Sequence, residues 1–183
     1  DNTPKSFTIK VENPKLWDVD NPNLYVLKTS VTKDNSVKDI VEKKFGFRWF
    51  EVKDIQGDKQ FYLNNKRIVA RTAISWGFWP VNGIAPSDEL AKKQIADAKA
   101  IGLNMLNFHR TIGQTNVLDY ADEMGLLYFQ EPGGNQFPAN QFKPKNDLEK
   151  KQADFYFAAR DEKFFRMVKR DRSHPSLVIY NMH

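Results

Sequence analysis

The alternation of apolar and polar positions divides the chain into two regions of different period. Over the first fifty-odd residues, runs rich in β-branched and aromatic residues at 6–11, 24–32 and 39–50 are separated by polar turns such as Asp18-Val19-Asp20-Asn21-Pro22-Asn23 and Lys33-Asp34-Asn35-Ser36. Such runs predict antiparallel strands. Asn64-Asn65 then lies between two apolar runs, and asparagine tolerates the positive φ of a tight hairpin. A sandwich of the immunoglobulin type takes about seven strands, and the chain has room for roughly half of them.

From residue 68 the period changes. Residues 68–74 predict a strand, and Ser87-Asp88-Glu89 opens a helix with a capping side chain and two acids suited to its dipole. Ala91, Ile95, Ala98 and Ile101 recur at helical spacing until Gly102. Residues 103–108 form a second predicted strand. Val117, Leu118, Ala121 and Met124 make one helical face ending at Gly125, and 126–129 follow as a third strand. A long helix is expected over about 147–172, with Phe155, Ala158, Phe165 and Val168 on one side, and 177–181 give the fourth strand. Strands apolar on both faces, alternating with helices, predict a parallel sheet under helical cover. Periodicity alone does not separate an eight-stranded barrel from an open doubly wound sheet, but the lack of a Gly-rich turn after the first strand weakens a dinucleotide-binding reading.

Composition narrows the function. The 183 residues are 40% hydrophobic, which argues for a folded chain. The net charge is +5, and the most basic stretch, 163–172, interleaves its charges with Phe164, Phe165, Met167 and Val168. That spacing describes a helix with a solvated face rather than a nucleic-acid surface. No apolar run is long enough to cross a membrane, and Asp1-Asn2-Thr3-Pro4 does not open a signal peptide. A chain whose signal has been removed would be periplasmic or secreted, and otherwise cytoplasmic. There is no cysteine, and the three histidines show no metal-ligand spacing, so neither a protein-built metal site nor a cofactor is expected.

Individual motifs carry a resemblance. Arg170-Asp171-Arg172-Ser173-His174-Pro175-Ser176-Leu177 resembles the segment of glycoside hydrolase family 2, the β-galactosidase and β-glucuronidase family, that leads to the catalytic acid/base. Asn13-Pro14-Lys15-Leu16-Trp17, Asn21-Pro22-Asn23-Leu24-Tyr25 and Phe45-Gly46-Phe47-Arg48 resemble the end of that family's sandwich domain, with Trp17 and Tyr25 as packing residues. Phe61-Tyr62-Leu63-Asn64-Asn65-Lys66 resembles its hairpin at the barrel entrance. The resemblance implies a partial TIM (β/α)8 barrel preceded by part of an immunoglobulin-like β-sandwich. Residues 1–56 would close the sandwich and 57–183 would form the first half of the barrel, divided where Gly57 and polar residues interrupt the pattern at 54–59.

In TIM barrels, functional residues sit at the C-terminal ends of the strands. That rule selects Ser75 and Trp76, then His109 and Arg110, then Glu131, and finally Asn181 to His183. Trp76, with Trp79, is either a platform for a pyranose face or packing over the barrel mouth. His109 and Arg110 are candidate donors to sugar hydroxyls or a carboxylate, and Arg110 alternatively pairs with Glu131. Glu131 either orients a sugar hydroxyl or a catalytic partner, or makes a supporting bond to a neighbouring strand end. The family commonly has Arg-Thr-Ser-His-Tyr-Pro where this chain reads Asn107-Phe108-His109-Arg110-Thr111-Ile112, so the family's Arg falls on Asn107. His174 precedes the last strand and is expected to fix the turn beneath the site.

The family resembles retaining glycosidases, which use two carboxyl groups about 5–5.5 Å apart. Counted from His174, its acid/base falls two residues beyond His183, and its nucleophile lies further on. The expected function is therefore part of a hydrolase of O-glycosidic bonds that lacks both catalytic glutamates and is inactive alone. A non-catalytic carbohydrate-binding or interaction module is the alternative. The expected partner is a carbohydrate, without nucleic acid or membrane, and the open strand edges of a half barrel predict either self-association or a marginal fold.

Overall fold

The computed structural model describes residues 6–77, 79, 83, 85–133 and 142–181. Strands β1 (Tyr25–Lys33) and β2 (Ser36–Phe45) pair antiparallel about Asp34 and Asn35, whose φ values of 51° and 57° suit a tight hairpin. Residues 6–11, expected as a strand, are irregular, with Phe7 and Ile9 largely exposed. A strand persists only when its backbone groups are paired, and no described strand lies alongside this run.

Strands β3 (Phe50–Ile55), β4 (Asp58–Leu63) and β5 (Lys66–Ile68) form a second antiparallel sheet in that order. The 54–59 stretch is the turn of the β3–β4 hairpin, with Gln56 and Gly57 both at positive φ. Asn64 and Asn65 turn the next hairpin at φ 51° and 65°. Asn64 also ties two layers together: its side chain accepts from the Trp49 N–H at 3.1 Å and donates to the Trp17 carbonyl at 2.9 Å.

A four-stranded parallel sheet follows, built from β6 (Thr72–Ile74), β7 (Met105–Phe108), β8 (Leu127–Gln130) and β9 (Leu177–Tyr180), adjacent in chain order. Helices α1 (Asp88–Ala100), α2 (Thr115–Met124) and α3 (Asp147–Asp171) connect them. The single strand expected over 68–74 is two, β5 and β6, because the chain leaves an antiparallel hairpin there and enters a parallel sheet. Asn104 bridges the break, accepting from the Arg71 N–H at 2.8 Å and donating to the Val69 carbonyl at 2.9 Å.

Alternate residues of the sheet face two cores. Leu106, Phe108 and Tyr128 pack under Ile95, Leu118 and other residues of α1 and α2. Met105 and Leu127 face the other way, against Leu63 and the fully buried Trp17. The sandwich segment is thus part of the barrel's packing. Its seam is hydrogen-bonded as well: the Trp17 indole donates to the Asp122 carbonyl at 2.7 Å, and Arg48 donates to the carbonyls of Pro175 and Leu177 at 2.9 and 2.7 Å. Burial lowers the pKa of the Arg48 guanidinium. Gly46 permits this approach, since a Cβ there would stand 2.9 Å from both Pro175 Cγ and Trp17 Cβ.

Helix α3 corrects a further expectation. Phe155 and Phe165 are 76% and 62% exposed, and the buried positions are Met167 and Asp171. Aromatic residues occur nearly all round this helix, so its sequence accommodates more than one apolar stripe. No helix among the described residues is long and apolar enough to cross a membrane.

Candidate functional site

The C-terminal ends of β7, β8 and β9 meet on one carboxylate, and the end of β6 adjoins them. Glu131, just past β8, is 3% exposed. Its Oε2 accepts from the Arg110 backbone N–H at 2.7 Å, and its Oε1 lies 3.2 Å from His109 Nδ1 and 3.4 Å from Asn181 Nδ2. The Trp76 and His109 rings meet edge to face, with centroids 4.8 Å apart. Residues from the ends of β6, β7, β8 and β9 are therefore in one contiguous cluster.

Trp76 and Arg110 both have positive φ, at 49° and 55°, an uncommon conformation for large side chains that surrounding contacts must enforce. At Arg110 those contacts are the Glu131 carboxylate on its N–H and the backbone of Gly133 against its carbonyl, where a Cβ on residue 133 would collide. Arg110 and Glu131 do pair, but through the backbone. The exposed guanidinium has no acid partner among the described residues.

Trp79 packs in the core shared with the helices and is 7% exposed, whereas Trp76 is 45% exposed. Of the two tryptophans, only Trp76 offers an accessible face. Ser75 Oγ accepts from Gln94 Nε2 at 3.1 Å. His183 lies outside the described residues.

His174 is remote from this mouth, as its place before β9 implies. Its Nδ1 lies 2.6 Å from Asp122 Oδ2, while Asp122 Oδ1 accepts from the Ser176 N–H at 2.9 Å. Asp119, Asp122 and His174 place ligand-type atoms within 4.8 Å of one another, a grouping that sequence spacing did not show. Both Asp122 oxygens and His174 Nδ1 already take part in hydrogen bonds, so the trio serves as a clasp between α2 and the turn before β9.

Sequence reasoning also missed a hydrogen-bonded set beside the mouth, in which Gly113, Gln130 and Asp171 are buried and Arg170 is exposed. The available signal was a glutamine ending an apolar strand and an acid at the C-terminal turn of α3. Nearby, burial with help from the Asp171 charge pushes the Tyr180 hydroxyl up to about 12. Burial also raises the pKa of Tyr128, whose hydroxyl has no hydrogen-bond partner among the described residues and whose ring stacks on Phe108 at 4.5 Å.

Comparison with known proteins agrees with this arrangement. Residues 1–48 match the family model of glycosyl hydrolases family 2, and residues 51–183 match the TIM barrel domain of the same family. A β-galactosidase of Thermoanaerobacterium thermosulfurigenes is 30% identical over 97% of the chain, which spans 22% of that protein. A β-glucuronidase of Streptococcus agalactiae is 28% identical over 96% of the chain, which spans 29% of it. The crystal structure of Parabacteroides merdae β-glucuronidase superposes with a TM-score of 0.74 at 28% identity, covering 95% of this chain and 20% of that one. The chain thus spans less than a third of the length of the relatives it matches. With the family's domain model matched over most of its length and its strand order in place, the chain belongs to glycosyl hydrolase family 2.

Proposed function

We propose that this chain forms one side of the substrate mouth of a retaining β-glycosidase acting on a pyranoside, with the two catalytic carboxylates supplied by positions beyond His183. The observation that carries this reading is the cluster of four strand ends in which His109, Arg110 and Asn181 meet Glu131 and Trp76 packs on His109. An exposed indole suits the apolar face of a pyranose, and imidazole, guanidinium and amide groups beside it suit sugar hydroxyls. Trp76, His109, Arg110, Asn181 and His183 would contact the sugar. Glu131 would organise them rather than attack or protonate, because its oxygens are engaged by Arg110, His109 and Asn181. A retaining reaction needs a second carboxyl group about 5–5.5 Å from the first. The similarity to named β-galactosidases and β-glucuronidases supports a β-linked galactoside or glucuronide as substrate.

The domain division belongs to the same proposal. Strand β3 pairs with β4 along its whole length, and the family matches break between residues 48 and 51, which supports a barrel domain beginning a few residues ahead of Gly57. The outer edges of β6 and β9 would drive self-association of the chain taken alone.

The test is a titration of the 183-residue chain with methyl β-galactoside and methyl β-glucuronide by NMR, beside an assay on aryl β-glycosides. Binding that is lost in Trp76→Ala, with no hydrolysis, is the expected result. Turnover by the chain alone would refute the assignment of both catalytic groups elsewhere, and binding indifferent to Trp76 would refute the mouth.

A further inference from the structure

The loop between β7 and α2 is held at both ends by consecutive residues of one segment. Glu131 takes its start, through the Arg110 N–H and His109. Gln130 takes its end: the Gly113 N–H donates to Gln130 Oε1 at 3.1 Å. The amide nitrogen of Gln130 donates in turn to Asp171 Oδ2 at 2.7 Å. Asp171 also accepts from Arg170, at 2.5 Å from Nε and 2.8 Å from Nη2, and Arg170 Nη2 donates to the Gly113 carbonyl at 2.6 Å. The hydrogen bonds close a ring through Gly113, Gln130, Asp171 and Arg170.

This ring stands where stability alone would not put it. Asp171 is fully buried, and it occupies the C-terminal turn of α3, where the helix dipole disfavours an anion. A buried carboxylate of this kind is weak evidence for stabilisation and better evidence for a fixed arrangement. What it fixes is the far end of a loop whose near end carries Arg110 at φ 55°. A non-glycine residue stays in that conformation only where its surroundings over-determine it. Gly113 adds a steric lock, because a Cβ there would run into the Phe108 ring.

We infer that Asp171 is a positioning residue: acting through Gln130 and Arg170, it holds the Gly113 end of the loop and thereby sets how His109 and Arg110 are presented at the barrel mouth.

The ring has a donor-to-acceptor direction, and that makes the role testable apart from stability. In Asp171→Asn, an amide with its oxygen in the Oδ2 place sets its NH2 against Nε of Arg170, the residue that also holds the Gly113 carbonyl; one with its oxygen in the Oδ1 place sets its NH2 against Arg170 Nη2 and the NH2 of Gln130. Turning the Gln130 amide over removes that conflict only by presenting an NH2 to the Gly113 N–H, so the mismatch travels to the loop. In the double variant Asp171→Asn with Gln130→Glu, the new carboxylate accepts from both the Gly113 N–H and the new amide, whose oxygen accepts from Arg170 Nε; one negative charge stays in the ring, and Arg170 Nη2 keeps the Gly113 carbonyl.

The readouts are the hydrogen-exchange rate of the Arg110 amide and the imidazole nitrogen shifts of His109, measured by NMR on the 183-residue chain. In Asp171→Asn, the Arg110 amide should exchange about tenfold faster and the His109 signals should move, as expected when a supporting partner is lost. The double variant should return both to wild-type values. A lower melting midpoint in Asp171→Asn with both signals unmoved would mean that Asp171 only packs α3, and the inference would fall. If Asp171→Asn does not fold, the double variant decides: wild-type signals support the role, while an unfolded chain or a loosened loop overturns it. No sugar enters these measurements, so they stand or fall independently of the proposed glycoside mouth.

Discussion

Glu131 holds Arg110 by its backbone N–H, at 2.7 Å, and leaves the Arg110 guanidinium exposed. The two groups of Arg110 are therefore separable by mutation. Glu131→Ala leaves the part-buried Arg110 N–H and His109 without the carboxylate, and should cost about 1–3 kcal/mol in urea denaturation. Arg110→Gln keeps the N–H and should stay within about 0.5 kcal/mol of wild type, while weakening sugar binding in the NMR titration. Equal stability loss in both variants would contradict this separation.

The clasp beneath the mouth should be the more sensitive site. Asp122 accepts from the Ser176 N–H and pairs with His174, and all three residues are buried. Asp122→Ala leaves both partners unsatisfied and should destabilise by roughly 3 kcal/mol. The midpoint of chemical denaturation reads the loss directly, and an unchanged midpoint would show that the clasp contributes nothing.

Alkaline pH should weaken the fold through Tyr180. Burial, then the Asp171 charge, pushes its hydroxyl up to about 12, against an ordinary value of 10.0. Below pH 10 the folded and unfolded chains both keep this proton. As pH rises from about 10 to about 12 the unfolded chain releases it while the folded chain holds it, so stability falls over that window. Urea midpoints measured across the window should decline, and less steeply in Tyr180→Phe. Identical slopes in the two proteins would remove Tyr180 from the account.

Among the described residues, β6 and β9 are the outer strands of the parallel sheet. Light scattering on the chain should show concentration-dependent association, reduced by proline at the β6 position Ile74, whose N–H points away from β7 because the Arg71 carbonyl and the Ser75 N–H are the groups bonded to β7. A monodisperse monomer at all concentrations would refute the edges as contact surfaces.

Much of this architecture was legible because local signals and tertiary packing agree. Ser87 and Gly102 bound α1 as capping chemistry requires, and Gly125 ends α2 in the left-handed conformation with φ 73°. Legibility failed where side chains replace backbone. Nothing in the order of residues says that the Asn104 amide bridges Val69 and Arg71, which is why one expected strand became two. The positions of the mouth residues followed from the strand-end rule, but not their bonding. That Arg110 meets Glu131 through its N–H depends on a positive φ that arginine rarely adopts. The stripe that α3 buries was hidden for the opposite reason, since aromatic residues at 155, 156, 157, 164 and 165 satisfy several faces at once.

The seam between Arg48 and the turn before β9 has a temporal side. Arg48 precedes its acceptors, the carbonyls of Pro175 and Leu177, by 127 and 129 positions. At synthesis rates of about 5–20 residues per second, its acceptors leave the ribosome on the order of ten seconds after it does. The β1–β2 hairpin, whose contacts are local, forms within microseconds and waits. Until then the Arg48 guanidinium has neither of these acceptors, so a strand made late fastens a segment made early.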